Sequence, residues 1–525
     1  MNNSDVRASS EQHNGTKRAL EVRHLVMIAL GGVIGSGLFV SSGYTIGQAG
    51  PLGAVLAYVV GALIAWLVMS CLGELAVQYP VSGGFHVYAY KAISPAAGFT
   101  TAWLYWLCWV AALGSEFTAS ALLMQRWFPQ VDAWIWCVIF AALLFLLNAF
   151  SVKWFGEAEF WFSLLKVTAI VVLLIVGFAA IFGINAGGEA PLLANFMTED
   201  GLLPTGTTGV FITILSVFYA FSGTELIAIA AGETKDPQVA IPRAIRTTLV
   251  RLVIFFVGAI FVIAALVPWD QISLLGDENI EASPFVAIFE IVGIPYAADI
   301  MAVVVIIALL SAGNSGLYAC SRPMYSMAEM NQLPSAFSKT TERGVPMLSL
   351  VISLAAGLMC LVSSVVSPGA VYLALVSIAG FAVVAVWIVI VVAQMMNRRK
   401  FVAAGGDIDK LAYKTPMYPW VPIIALVACV ISLIAVAFDP NQVAALLFGI
   451  PFVVICYGIH KVVIEKPVGE DSFVSGQIVA DYLANLLDDG FDLPRSHPTA
   501  AADKRHAQVK QLGDCFDQAN AAFIT

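Results

Sequence analysis

Twelve stretches of this chain are apolar over roughly 20 residues each, the length of helix needed to cross the hydrocarbon of a bilayer. The first lies at about 24–47 and the last at about 442–463. Inside a bilayer every backbone N–H and C=O must be satisfied within the protein, and runs of this length do so as helices. With 60% hydrophobic and 12% charged residues, the chain also exceeds what a soluble core can bury. The expectation is an all-α polytopic membrane protein with twelve transmembrane helices, surrounded by lipid.

Composition and charge order the remaining segments. Residues 1–22 form a polar leader, 23–464 the twelve-helix domain, and 465–525 a polar tail. Within the tail Ile478, Val479, Tyr482, Leu483, Leu486 and Leu487 recur at helical spacing, which predicts one amphipathic helix and a surface for a regulatory partner. If the N-terminus is inside, 24 of the 26 Lys and Arg residues fall on the cytoplasmic side or in the ends that face it. That asymmetry predicts a multi-pass protein of the plasma (inner) membrane with both termini cytoplasmic. The first apolar run is expected to act as an uncleaved anchor. Eight cysteines show no disulfide framework, and the six histidines show no metal or catalytic spacing. No cofactor, metal or nucleic acid is expected.

Two of the runs are interrupted. His24–Phe39, HLVMIALGGVIGSGLF, carries Gly31, Gly32, Gly35 and Gly37 within seven residues, each costing a helix about 1 kcal/mol relative to alanine. The readings are close packing through small residues or an unwound turn. An unwound turn frees N–H groups for a carboxylate and carbonyls for an ammonium, which suits a small zwitterion. The sixth run breaks at Phe221-Ser222-Gly223-Thr224, with Glu225 next, 187 positions after the first break. If spans one to five and six to ten are two halves, both breaks fall in the first helix of a half. Paired breaks of this kind point to a midplane site in a transporter built from inverted repeats.

Four segments then place the chain in a family: GGVIGSGLF, GELAVQYPVSGGFHVYA (Gly73–Ala89), FGEAEFWFSLLKVTAI (Phe155–Ile170) and AFSGTELIAIAAGETKDPQVAIPRAI (Ala220–Ile245). They resemble the bacterial amino acid permeases of the amino acid–polyamine–organocation superfamily over about residues 20–465. The resemblance implies a leucine-transporter-like fold. Repeat one would span about 23–183 and repeat two about 207–396, with helices 1 and 6 interrupted and two extra helices over about 418–464. It implies import of an amino acid together with a proton. FHVYA, AWLYWLCWVAALGS and RWFPQVDAWIWCVIF look most like S-methylmethionine permeases, which suggests that compound or another cationic amino acid. Glu116 stands where those carry serine, and resembles lysine or aromatic amino acid permeases there. A permease for neutral or aromatic amino acids and a non-transporting amino acid sensor are the alternatives.

Charged groups within a span are costly and mark function by default. Glu116 shares a helical face with Tyr105, Trp109 and Ala112. It either recognises a cationic side chain beside those aromatics or ties helix three to a neighbour. Lys166 stands at mid-span, and the resemblance places its ammonium where sodium-driven relatives hold sodium, between helices one and eight. The alternative is a lysine whose long stem reaches the surface. Glu225 is the candidate proton carrier or organiser of the second break, so Lys166 and Glu225 are assigned to proton coupling. Ser311, Asn314, Ser315 and Tyr318 form a polar stripe on span eight, expected to line the cavity with Tyr105 and Trp109 or to pack against a helix.

The resemblance implies that Ser36 and Gly37 N–H groups meet the substrate carboxylate, and that Val33, Tyr219 and Ser222 carbonyls meet its amino group, with Gly35, Gly223 and Thr224 completing the breaks. Gly37→Val is expected to abolish binding of labelled amino acid while leaving expression near normal. Unchanged affinity in that variant would remove the assignment.

Overall fold

A computed structural model describes residue 27 and residues 31–464, apart from 82, 151, 185–189, 235–236, 271, 273–282, 343 and 439–441. The leader, the tail and its expected amphipathic helix lie outside the described residues. Among those described, the chain is helical, and the one β pairing is an isolated bridge between Thr198 and Gly201.

The first break is followed by a single turn, α1 (Ser36–Phe39), and then by α2 (Ser41–Gln78). Within α2 two helical stretches, belonging to the first and second predicted spans, meet at a kink at Gly50, whose φ of 72° and ψ of 172° are not helical. Pro51 has no N–H to donate and cannot continue the preceding helix, and glycine accepts the positive φ that the turn needs. Next come α3 (Phe85–Ala92), α4 (Pro95–Met124), α5 (Ala133–Phe150) and α6 (Val152–Ile181). Helix α4 begins in a well-defined way, with Pro95 in its first turn and the Ser94 hydroxyl accepting from Ala97 N at 3.1 Å, the arrangement that caps a helix start.

The sixth span is divided into α7 (Gly206–Phe221) and α8 (Leu226–Ile229). Then follow α9 (Pro237–Leu266), α10 (Pro284–Val292), α11 (Ala297–Glu329), α12 (Met347–Gly357), α13 (Pro368–Ala403), α14 (Trp420–Val436) and α15 (Val443–Ile459). Among the described residues, eight helical segments are long and apolar enough to cross a membrane, and three shorter ones of 10–17 residues are also apolar. Helices α3 and α10 were not expected. The first carries His86, which is fully buried.

The sites expected to hold substrate sit where the most buried helices meet. Helix α2 packs on α7 and α9, and α4 packs on α11 and α13. Large apolar side chains such as Leu63, Leu146, Trp161, Ile175 and Val454 remain exposed around the outside, the belt a lipid-facing surface requires. Small residues allow the central crossings. A Cβ at Gly61 of α2 would lie 2.4 Å from Val217 Cγ1 of α7. Gly61→Val therefore overpacks this crossing, at a cost of about 1–3 kcal/mol, and should lower the thermal unfolding midpoint of the purified protein in detergent. An unchanged midpoint would mean that the crossing yields freely.

Candidate functional site

Met27 and Gly31 are helical, and residues 32–35 are turn and bend. Gly35 N–H donates to Val33 O at 3.1 Å, and Gly35 O accepts from Leu38 and Phe39 as α1 restarts. The N–H of Ser36 has no helical acceptor, and it donates to both carboxylate oxygens of Glu116, at 3.0 and 3.1 Å. The Ser36 hydroxyl also donates to Glu116 Oε1, at 3.1 Å. Glu116 thus binds helix α4 to the first break, and its Oε1 lies where a Cβ at Gly35 would stand, 2.5 Å away.

Tyrosines complete the surroundings. The Tyr219 hydroxyl lies 2.9 Å from Ser36 Oγ and 2.7 Å from Ser115 Oγ. Tyr372 donates to Ser36 O at 3.2 Å and lies 2.8 Å from Ser41 Oγ, and Tyr58 donates to Gly37 O at 3.3 Å. Ser36, Glu116, Tyr219 and Tyr372 are all buried.

The second break touches the first. Helix α7 ends at Ser222, ψ 149°, and Gly223 has φ 97°. A Cβ at Gly223 would lie 2.7 Å from Gly32 O, and one at Gly37 would lie 2.5 Å from Ala220 Cα. A side chain at position 37 therefore drives the two broken helices apart. Glu225 turns back on its own break: its Oε1 accepts from Gly223 N at 3.0 Å, and Thr224 Oγ1 lies 3.4 Å from its Oε2. Ser222 N and Oγ both donate to Tyr219 O, at 3.0 and 2.7 Å, so that carbonyl is engaged within the helix end.

Lys166, also fully buried, donates from Nζ to Gly31 O at the end of the first helical segment. Seven residues before it, on the same face of α6, lies Glu159, with its Oε1 3.9 Å from Lys166 Nζ. Ser311 Oγ donates to Glu159 Oε1 at 2.9 Å, and Asn314 Nδ2 to Oε2 at 3.4 Å. Asn148 of α5 donates to Asn314 Oδ1 at 2.7 Å. Ser311 and Asn314 of the span-eight stripe are therefore held by an acid of α6.

Tyr318 and the α4 aromatics have other neighbours. Tyr318 lies under the Arg322 guanidinium, 4.3 Å from its ring centre. Tyr105 meets Phe85 edge-on at 4.6 Å and Trp109 at 6.1 Å. Tyr105 OH, Trp109 Nε1 and Ser315 Oγ are buried polar atoms that make no well-formed hydrogen bond among the described residues.

Sequence reasoning missed Glu159, Asn148, Tyr58, Ser115 and Tyr372. The signal for Glu159 was present, an acid two turns from Lys166 in one apolar run, but it lay at the expected edge of span five. A second buried charge pair was missed as well. Glu74 of α2 accepts from Gln394 Nε2 at 3.0 Å and from Thr415 N at 2.7 Å, with Arg398 Nη1 3.5 Å away.

Comparison with known proteins agrees with this architecture. The amino acid permease family model matches residues 24–471. A provisionally named histidine permease of Bacillus subtilis (strain 168) is 50% identical over 470 residues, covering 88% of this chain and 98% of the relative. The amino-acid permease RocE of the same organism is 50% identical over 463 residues, 87% of this chain and 98% of the relative. The lysine-specific permease LysP of Escherichia coli (strain K12) is 39% identical over 455 residues, 85% of this chain and 93% of the relative. The chain is a multi-pass membrane transporter, not an enzyme, and belongs to the amino acid permease family.

Proposed function

We propose that the protein is a proton-coupled importer of a cationic amino acid, S-methylmethionine or a lysine- or histidine-like compound, in the plasma (inner) membrane with both termini cytoplasmic. The observation that carries this reading is the Glu116 carboxylate on the Ser36 N–H. In the proposal the substrate carboxylate takes Ser36 and Gly37 N–H. Two carboxylates cannot share that donor, because like charges at such range repel strongly. Glu116 must then give up Ser36, and a proton taken from outside neutralises it as it does so. Substrate and proton enter together for that reason. Lys166, on the Gly31 carbonyl, and Glu225, capping the second break, join Glu116 in the coupling. Val33 and Ser222 carbonyls face the substrate's amino group, and Tyr105, Trp109, Ser315 and Tyr318 line the space for its side chain. The names of the lysine and histidine relatives support a substrate with a basic side chain.

The architecture proposed with it has twelve spans in two inverted repeats, about 23–183 and 207–396, followed by two helices over about 418–464. The eight long segments, the three shorter ones and the division of α2 at Gly50 support that count. The tail, 465–525, is read as a cytoplasmic regulatory segment.

Uptake by sealed vesicles under an imposed pH gradient, with labelled lysine, histidine and S-methylmethionine, tests the reading. Glu116→Gln leaves one acceptor oxygen for Ser36 but carries no proton in and out. It should exchange substrate across the membrane yet fail to accumulate it, and its uptake should lose dependence on the gradient. Lys166→Ala should likewise block accumulation while exchange survives. Accumulation at the wild-type level by Glu116→Gln would overturn the proposal, and a loss confined to cationic substrates would assign Glu116 to recognition of their side chains instead.

A further inference from the structure

Met27 and Gly31, before the first break, are held by polar contacts. Their carbonyls are each held by α6. Ser163 Oγ donates to Met27 O at 2.9 Å, and Lys166 Nζ donates to Gly31 O. Glu159, Ser163 and Lys166 occupy positions i, i+4 and i+7, one face of the helix. That face fits closely against Gly31, since a Cβ there would stand 1.9 Å from Ser163 Oγ and 2.4 Å from Glu159 Oε1.

Glu159 joins this face to the rest of the molecule. One oxygen accepts from Ser311 and lies nearest the Lys166 ammonium; the other accepts from Asn314, which Asn148 holds from α5. Both charged groups are fully buried. A buried ammonium persists only with a counter-charge, and removing one member of such a pair is far more damaging than removing both. The carboxylate's reach from α11 to Gly31 also means that it fixes where the ammonium stands.

We propose that Glu159 is a positioning residue for transport: it holds the Lys166 ammonium on the Gly31 carbonyl, and so latches the first segment of helix one against α6 and α11. Release of that segment is then governed by the Glu159–Lys166 pair as a unit. This rests on the reading of Lys166 as part of the coupling machinery, and adds to it a partner that no resemblance supplied.

The test uses the full-length protein, in nanodiscs for labelling and in sealed proteoliposomes for uptake, with Met27→Cys as reporter and Cys515→Ser to remove the tail thiol. Met27 contributes its carbonyl to the latch, and the seven described cysteines are buried. The probe is a water-soluble maleimide. Glu159→Gln keeps the size, leaves one oxygen to accept from Asn314 and an amide N–H that can donate to the Ser311 hydroxyl, and removes the charge. It should raise the reporter's labelling rate about fivefold or more, and lower the maximal uptake rate while leaving the substrate KM within about twofold. In a Lys166→Met background, adding Glu159→Gln should change labelling by less than about twofold, because the two act through one contact.

Unchanged labelling in Glu159→Gln, parallel loss of KM and rate, or an effect that multiplies with Lys166→Met would overturn the inference and make Glu159 a packing residue. If Glu159→Gln alone cannot be purified, the double variant, which leaves no buried charge uncompensated, must be recoverable, and its failure would overturn the paired-charge account. Full gradient-driven accumulation by Lys166→Met would defeat the coupling reading alone. Raised labelling in Glu159→Gln would then still support the latch.

Discussion

A main-chain N–H released from a helix inside an apolar slab must find an acceptor within the protein, and for Ser36 that acceptor is the carboxylate of Glu116. Much of the interior follows from this contact. It draws α4 against the first break, leaves no room for a side chain at Gly35, and brings Tyr219 and Ser115 to the same serine. The second break is satisfied differently, by its own Glu225 and Thr224, so it depends less on neighbouring helices. One break is closed from outside and the other from within.

Buried charge is handled by the same economy. Glu159 with Lys166 and Glu74 with Arg398 each place an acid between two or more helices, with neutral donors filling the remaining lone pairs. Such pairs contribute little net stability once desolvation is counted, and breaking one is costly. Their value lies in geometry. Glu159 connects α6, α11 and the start of helix one, whereas Glu74 connects α2, α13 and the segment leading into α14. Both tie a helix to segments far from it in sequence, so they constrain how those segments can move relative to one another.

The polar stripe of span eight shows how a correct pattern can have a divided purpose. Ser311, Asn314, Ser315 and Tyr318 do share a face of α11. Yet Ser311 and Asn314 satisfy Glu159, Tyr318 carries Arg322, and the Ser315 hydroxyl makes no well-formed hydrogen bond among the described residues. Helical spacing reports which way side chains face and not what they meet. Glu116 teaches the same point: its position on α4 was legible, but whether it faced a ligand or a neighbouring backbone was not.

Membrane insertion, helical class and the position of both breaks were determined by the sequence itself, because they follow from local quantities: run length, backbone satisfaction in hydrocarbon, and the cost of glycine in a helix. The value of Lys166 was equally local, since a lone mid-span ammonium demands an explanation wherever it packs. Only the tertiary structure decided that the breaks touch through Gly32 and Gly223, that Ser36 is held by Glu116, and that Glu159 stands between Lys166 and α11. Those contacts join residues from 7 to 191 positions apart in the chain. Which donor meets which acceptor across packed helices is set by their crossing and axial rotation, and these depend on all the side chains in the interface together rather than on any one segment.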